Sequence, residues 1–331
     1  MLNTFRVDKR FNTIRNLAIS LLTLLVFVAC DSPTEIAVDN TAEAKPVRVA
    51  LVMKSLANEF FVNMAQGAKN HQQENSGNNV NSYELIVNGI RNESDLAQQV
   101  SLVEQMMAAQ VDVIVLAPAD SKGLLPVVKR AIEQGIVVVN IDNRFDQDIL
   151  AQMGISVPFV GPDNREGAKL VGQVLAKQLQ AGDEVAIIGG IPGAFNAQQR
   201  QAGFEDAMSE VGAAVVSIQS ADWEQSKAAT IVAAILSENP NLKALLCAND
   251  SMALGAVAAV RQAGRTGEVL VVGFDNISAA NGLVQSGEML ATADQHGDKL
   301  AVFGIEYALQ IRASGTTPQN RRTPVDLIVA Q

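Results

Sequence analysis

Six short polar or aromatic clusters mark the points where apolar runs end: Asn58-Glu59-Phe60-Phe61, Asp142-Asn143-Arg144, Asn196-Ala197-Gln198, Asn249-Asp250, Asp275-Asn276 and Asp294-Gln295. Their residue types suit the capture of a small polyhydroxylated molecule better than the making or breaking of bonds. A carboxylate accepts from two vicinal hydroxyls at once, one on each oxygen, through charge-assisted bonds, and Asp142 and Asp275 are the candidates. The amides of Asn196, Gln198, Asn249 and Gln295 both donate and accept, which separates an equatorial from an axial hydroxyl. Asn58 and the Arg144 guanidinium complete the polar set. Phe60, Phe61 and Trp223 can cover the apolar C–H faces of a ring, and Trp223 also has an N–H to donate. Phe60 and Phe61 are adjacent at a helix start and point different ways, so one of them is expected to face the core.

These clusters matter only if the chain brings them together. Apolar, β-branched runs recur at 47–53, 83–87, 111–116, 136–141, 184–188, 213–218, 244–248, 269–273 and 290–293, with a short last strand at 324–329. Such runs read as strands buried on both faces. Most are separated by segments of helical spacing, such as Leu96, Val100, Val103, Met106 and Met107, so the pattern is a βαβ series with parallel sheets. Each cluster then falls at the carboxyl end of a strand, where open α/β sheets bind their ligands. An irregular segment, 143–158, and a break at 157–162 divide four strands from five and imply two lobes.

Neighbouring residues have simpler readings. Asp163 ahead of Arg165-Glu166 fits a capping box, and Asp250 reads as the N-cap of a helix over 251–260, which leaves Asn249 as the ligand candidate. Asn143 shapes the turn after its strand. His71 and His296 lack metal-ligand neighbours and suit surface or hinge roles, so no metal or other cofactor is expected. Cys247 lies within Leu245-Leu246-Cys247-Ala248 and reads as a buried, inert thiol. There is no Gly-x-Ser-x-Gly elbow and no phosphate loop ending in Gly-Lys-Ser/Thr, and neither His has an orienting partner in sequence, so an enzyme is not expected.

The chain opens with Arg6, Lys9, Arg10 and Arg15 ahead of an apolar stretch from Leu17 to Ala29, the pattern of an export signal over residues 1–29. At 1.5 Å per residue that stretch reaches about 20 Å, short of a hydrocarbon core of about 30 Å, so a spanning helix is the weaker reading. Residues 31–46 are polar and acidic and read as a tether. Without 1–29 the chain loses 4 of its 25 basic and 1 of its 35 acidic side chains, leaving 21 against 34 and a net charge of −13. Nucleic acid is a poor partner for such a surface. About 285 residues remain for the folded part, more than one core usually serves.

Taken in order, the motifs resemble the periplasmic type I sugar-binding proteins, the family of the ribose receptor, across 47–331. They are Asn58-x-Phe60-Phe61, Asp142, Gly190-Ile191-x-Gly193 with Arg200-x-x-Gly203-Phe204, Asn249-Asp250-x-Met252-Ala253-Leu254-Gly255, Val272-Gly273-Phe274-Asp275 and Gln295. The resemblance implies two flavodoxin-like lobes joined by three crossovers, one holding 46–162 and 296–323 and the other 163–295 and 324–331. It implies a ligand set of Asn58, Phe60, Phe61, Asp142, Arg144, Asn196, Gln198, Trp223, Asn249, Asp275 and Gln295, closing on a monosaccharide or polyol for an inner-membrane ABC permease. Gln198 stands where that family has a ligand-binding arginine and Trp223 where it has a phenylalanine, so ribose itself is not implied. Phe27-Val28-Ala29-Cys30 resembles a lipobox, which implies a periplasmic protein held at the inner membrane through lipidated Cys30, with Asp31 as the retention residue, and otherwise a monomer. A sensory role, docking on a chemoreceptor or histidine kinase, is the alternative.

Overall fold

The computed structural model describes residues 45–76, 82–315 and 319–330. The export signal, Cys30 and nearly all of the tether lie outside them. Among the described residues no helix is long and apolar enough to cross a membrane.

The chain first builds β1 (Val47–Met53), α1 (Glu59–Glu74), β2 (Tyr83–Gly89), α2 (Leu96–Ala108), β3 (Val113–Leu116), α3 (Leu125–Glu133), β4 (Val137–Ile141), α4 (Gln147–Met153) and β5 (Phe159–Gly161). A second series follows: α5 (Asn164–Ala176), β6 (Glu184–Gly189), α6 (Phe195–Val211), β7 (Ala214–Ser220), α7 (Gln225–Glu238), β8 (Ala244–Cys247), α8 (Asp250–Gln262), β9 (Leu270–Val272), α9 (Ser278–Ser286) and β10 (Ala291–Asp294). The end of the chain adds α10 (Gly297–Ser314), β11 (Arg321–Arg322) and β12 (Asp326–Val329). These strands form two six-stranded sheets, ordered β11-β5-β4-β3-β1-β2 and β12-β10-β9-β8-β6-β7. Every pairing is parallel except β10 with β12.

The chain passes between the sheets three times: from β5 into α5, from β10 into α10, and from β11 into β12. The first and last central strands of each series share one logic. In both sheets the first strand lies inside the second, giving the flavodoxin-like order whose topological switch point falls between β1 and β3 in one lobe and β6 and β8 in the other. The loops leaving those strands diverge and open a crevice at their carboxyl ends. Strand burial explains why the apolar runs were legible: every side chain of β3 and β8 is buried, and along β1 the alternate residues Val49, Leu51 and Met53 enter one core cluster while Ala50 and Val52 enter another.

Three short elements escape the sequence pattern. β5 and β11, of 3 and 2 residues, exist through pairing with each other and with β4. The segment expected to be irregular contains α4, opened by Asp146, whose carboxylate accepts from Asp148 N and Ile149 N at 3.0 Å each, and closed by Gly154 at φ 66°.

Candidate functional site

Between the two sets of strand ends lies a cavity of about 230 Å³ lined by Lys54, Asn58, Phe60, Phe61, Glu93, Asp142, Asn196, Arg200, Trp223, Asn249, Asp275 and Gln295. Five of the wall residues are placed by strand ends. Lys54 directly follows β1, Asp142 follows β4, Asn249 follows β8, Asp275 follows β9 and Gln295 follows β10. Asp142 (φ 61°), Trp223 (φ 70°) and Asp275 (φ 119°) hold positive φ values that L-residues seldom adopt. Such conformations cost of order 1–3 kcal/mol each and persist where the surroundings impose them, commonly at binding sites.

Charges in the cavity are paired. Lys54 Nζ lies 2.9 Å from Asp142 Oδ2, both side chains 3% exposed. Arg200 donates to Asn164 Oδ1 and Ala248 O at 2.8 Å each and reaches Asp275 Oδ1 at 3.4 Å, while Gln295 Nε2 donates to the same oxygen at 2.6 Å. Burial pushes the Asp275 carboxyl well up and the Arg200 guanidinium down, and their mutual attraction opposes both shifts. Glu93 accepts from Asn58 Nδ2 at 3.0 Å, yet burial carries its carboxyl up to about 7 against the pull of Lys54 and that hydrogen bond. With two cations against two paired carboxylates and one carboxyl kept near neutrality, the cavity favours an uncharged guest.

Phe60 and Phe61 both reach the cavity, their rings edge-to-face at 5.1 Å and 77°, so neither is consigned to the core alone. Trp223 faces them, with the Lys54 ammonium 5.5 Å and the Arg200 guanidinium 5.6 Å from its ring centroid. Gly190 makes room for the indole, since any Cβ there would overlap the Trp223 ring. Three buried polar atoms of the wall find no protein partner: Asn196 Oδ1, Trp223 Nε1 and Gln295 Oε1. An unmet buried polar atom costs about 1–3 kcal/mol, so one donor and two acceptors are set to be satisfied by a guest carrying hydroxyls.

Nine of the sequence-predicted residues are brought together: Asn58, Phe60, Phe61, Asp142, Asn196, Trp223, Asn249, Asp275 and Gln295. Two are not. Gln198 is exposed and its amide donates to Pro192 O at 2.8 Å, because α6 turns it away from the face that carries Asn196 and Arg200. Arg144 leaves the cavity for a separate cleft, its guanidinium 6.0 Å from the Phe159 ring centroid and 5.9 Å from that of Phe195. Lys54, Glu93 and Arg200 were missed. Arg200 stood within a quoted motif, and its i+4 spacing from Asn196 was the available signal.

The cap of α8 is Asn249 rather than Asp250, and Asn249 keeps its place at the cavity. Asn249 is the N-cap of α8, accepting from Met252 N at 2.9 Å, while it also lines the cavity. Asp250 is fully buried and accepts from Thr292 Oγ1 at 2.8 Å and Ile277 N at 3.1 Å, tying β10 and the loop after β9 to α8. Asp163 does cap α5, accepting from Glu166 N at 3.0 Å. His71 Nδ1 meets Tyr83 Oη at 2.8 Å, and His296 Nε2 meets Asp326 at 2.9 Å at the crossover into α10. Among the described residues no group of three His, Cys, Asp or Glu could hold a metal ion.

A model of the periplasmic binding protein domain matches residues 49–316. The chain is 53% identical to the D-ribose/D-allose-binding protein of Pseudomonas aeruginosa over 315 residues, 94% of this chain and 97% of that one. Among solved structures, an ABC transporter solute-binding protein from Burkholderia multivorans, holding an unknown ligand represented as α-D-erythrofuranose, superposes with a TM-score of 0.83 at 55% identity, covering 86% of this chain and 100% of that one. A periplasmic solute-binding protein from Actinobacillus succinogenes with bound D-allose superposes with a TM-score of 0.80 at 36% identity, covering 86% and 97%.

Proposed function

The chain belongs to the periplasmic binding protein domain family, and from that premise we propose that it captures a monosaccharide or related polyol between its lobes and delivers it to an ABC importer. One observation carries the ligand class. The cavity presents two ion-paired carboxylates, amides and an indole N–H whose buried polar atoms lack partners, between aromatic walls. A sugar matches each element: its hydroxyls both donate and accept, its C–H faces lie on Phe60, Phe61 and Trp223, and it carries no charge to disturb the pairs. The name of the P. aeruginosa relative and the D-allose in the A. succinogenes structure support an aldose.

Closure is the mechanism that follows. The ligand contacts strand ends of both sheets, so it stabilises the state in which the lobes approach, and that state presents the permease with a joined surface. The lobes are taken as 46–162 with 296–323 and 163–295 with 324–331. Their ligand-bridging role makes the protein a carrier rather than a catalyst. The export pattern at 1–29 and the lipobox-like Phe27-Val28-Ala29-Cys30 support a periplasmic monomer held to the inner membrane through Cys30, with 31–45 as its tether.

A thermal-shift screen against D-allose, D-ribose, other pentoses and hexoses, sugar alcohols and inositols tests the reading, since a ligand that binds only the folded state raises the midpoint by mass action. A stereospecific rise with one aldose or polyol is the expected result. No rise with any carbohydrate at millimolar concentration would remove the sugar reading.

A further inference from the structure

Two helices of the second lobe, α6 and α9, begin without a side-chain cap of their own and receive one from across the cleft. The N-cap residues of α6 and α9 are Ala194 and Ile277, whose side chains cannot accept a hydrogen bond. The first N–H groups of a helix have no partner within it. At these two helices the acceptors arrive from the first lobe. Phe195 N donates to Ser121 Oγ at 2.9 Å and Asn196 N donates to Asn143 Oδ1 at 3.2 Å. Ser278 N donates to Glu59 Oε1 at 2.9 Å, and the Ser278 hydroxyl donates to the same oxygen.

The acceptors are held ready on their own lobe. The Ser121 hydroxyl donates to Asn143 Oδ1 at 3.2 Å, and Asn143 Nδ2 donates to Pro118 O at 3.0 Å. Asp120 adds a carboxylate beside the start of α6, close enough that a Cβ on Gly193 would strike it. Negative charge from Asp120 and Glu59 thus meets the positive ends of α6 and α9. Helices α3, α7 and α10 also start without a side-chain cap, so the signal lies in the acceptors that cross the cleft rather than in a missing cap.

We propose that Glu59, Ser121 and Asn143 set ligand affinity from outside the cavity, by capping α6 and α9 in trans when the lobes are together. None of the three lines the cavity. Helix α6 carries Asn196 and Arg200 into it, and α9 follows the turn that begins at Asp275. Each trans cap forms only on closure, so it adds to the stability of the liganded state and slows release. This inference rests on the sugar-binding reading and on closure of the lobes.

The two bonds between Glu59 and Ser278 can be removed from either side. Glu59→Ala removes the acceptor. Ser278→Pro removes the donor at the first helical position, where proline is welcome, and Ile277 before it already has the extended backbone (φ −67°, ψ 154°) that a residue preceding proline needs. Each variant should raise the Kd for D-allose or D-ribose by roughly 2- to 30-fold, the range of a lost cap. The change should appear mainly as faster dissociation, with the melting temperature of the ligand-free protein unchanged.

The double variant should bind no worse than the weaker single one, because both changes remove the same pair of bonds. Glu59→Gln, which keeps the acceptor oxygen, should recover most of the affinity. Unchanged Kd and dissociation rate in both single variants would overturn the proposal. So would an equal fall in the ligand-free melting temperature, the mark of a merely structural contact. Amide exchange in the sugar-saturated protein gives a second readout: Glu59→Ala should speed exchange at Ser278, and unchanged exchange there overturns trans capping. Failure of the unaltered protein to bind any sugar would instead remove the functional reading, whereas variants of a sugar-binding protein that release sugar at the parental rate would remove the capping alone.

Discussion

Glu93 offers a quantitative check on the closed site. Its carboxyl is 4% exposed, pushed from the usual 4.5 to about 7 by burial, with Asn58 and Lys54 on the ionised side of the balance and Asp142 and Glu224 on the other. In the folded protein it keeps its proton over a pH range in which the unfolded chain releases it. Its contribution to stability is therefore fully present below about pH 4.5 and is lost as pH rises through about 7. At about 1.36 kcal/mol per pKa unit, the full effect is roughly 3 kcal/mol. Asp250, buried and raised to about 6, has the same sign, so the total slope belongs to more than one group.

Comparing the protein with Glu93→Gln isolates the first contribution, because glutamine keeps the shape and cannot ionise. Urea unfolding at saturating ligand, which holds the cleft closed, should show the two stabilities separating by roughly 3 kcal/mol between pH 4.5 and 8, with the glutamine variant gaining relative to the parent as pH rises. Parallel pH profiles would refute the claim that Glu93 is desolvated in the closed state.

Other expectations follow from the same geometry. Asp275→Ala strands the buried Arg200 and removes a ligand acceptor, so it should weaken sugar binding by at least about 2 kcal/mol in calorimetry and lower stability by about 3–5 kcal/mol; unchanged affinity would place Asp275 outside the site. Trp223 is the only tryptophan, so intrinsic fluorescence reads the site directly and should change on adding sugar. Gly190→Ala should displace the indole and abolish that signal, and a parental titration in this variant would contradict the close approach of Gly190 to the ring. Gln198→Ala should alter affinity by less than about 0.5 kcal/mol, since its side chain is exposed and turned from the cavity; a large loss would restore the role that the family resemblance implied.

Most of the two sheets was legible because parallel strands covered on both faces must be continuous apolar runs, as Val113–Leu116 and Ala244–Cys247 are. β5 and β11 were not, since 3- and 2-residue strands are defined by partners far apart in sequence, such as Val160 and Arg321, rather than by local pattern. The site was readable where polar residues interrupt an apolar run at a strand end. It was misread where a helix had to be phased: Asn196 and Arg200 share one face of α6, while Gln198 lies between them on the other. Lys54 was hidden because a lysine closing an apolar strand looks like its solvated boundary. Only the three-dimensional pairing with Asp142 at 2.9 Å reveals it as a buried charge.

The late elements of the chain have a consequence for how it is made. α10 packs on α1 and on β3 and β4 of the first lobe, β11 completes the edge beside β5, and β12 closes the second sheet against β10. A polypeptide emerging amino end first therefore cannot finish either half until the residues beyond Gly297 have appeared. Truncation after Gln295 should leave both halves without a stable edge and abolish cooperative unfolding, whereas a sharp transition in that fragment would show that the first half matures early. Waiting on its own carboxyl terminus gives the nascent chain a reason to stay unfolded during synthesis, and translocation across a membrane requires that same delay.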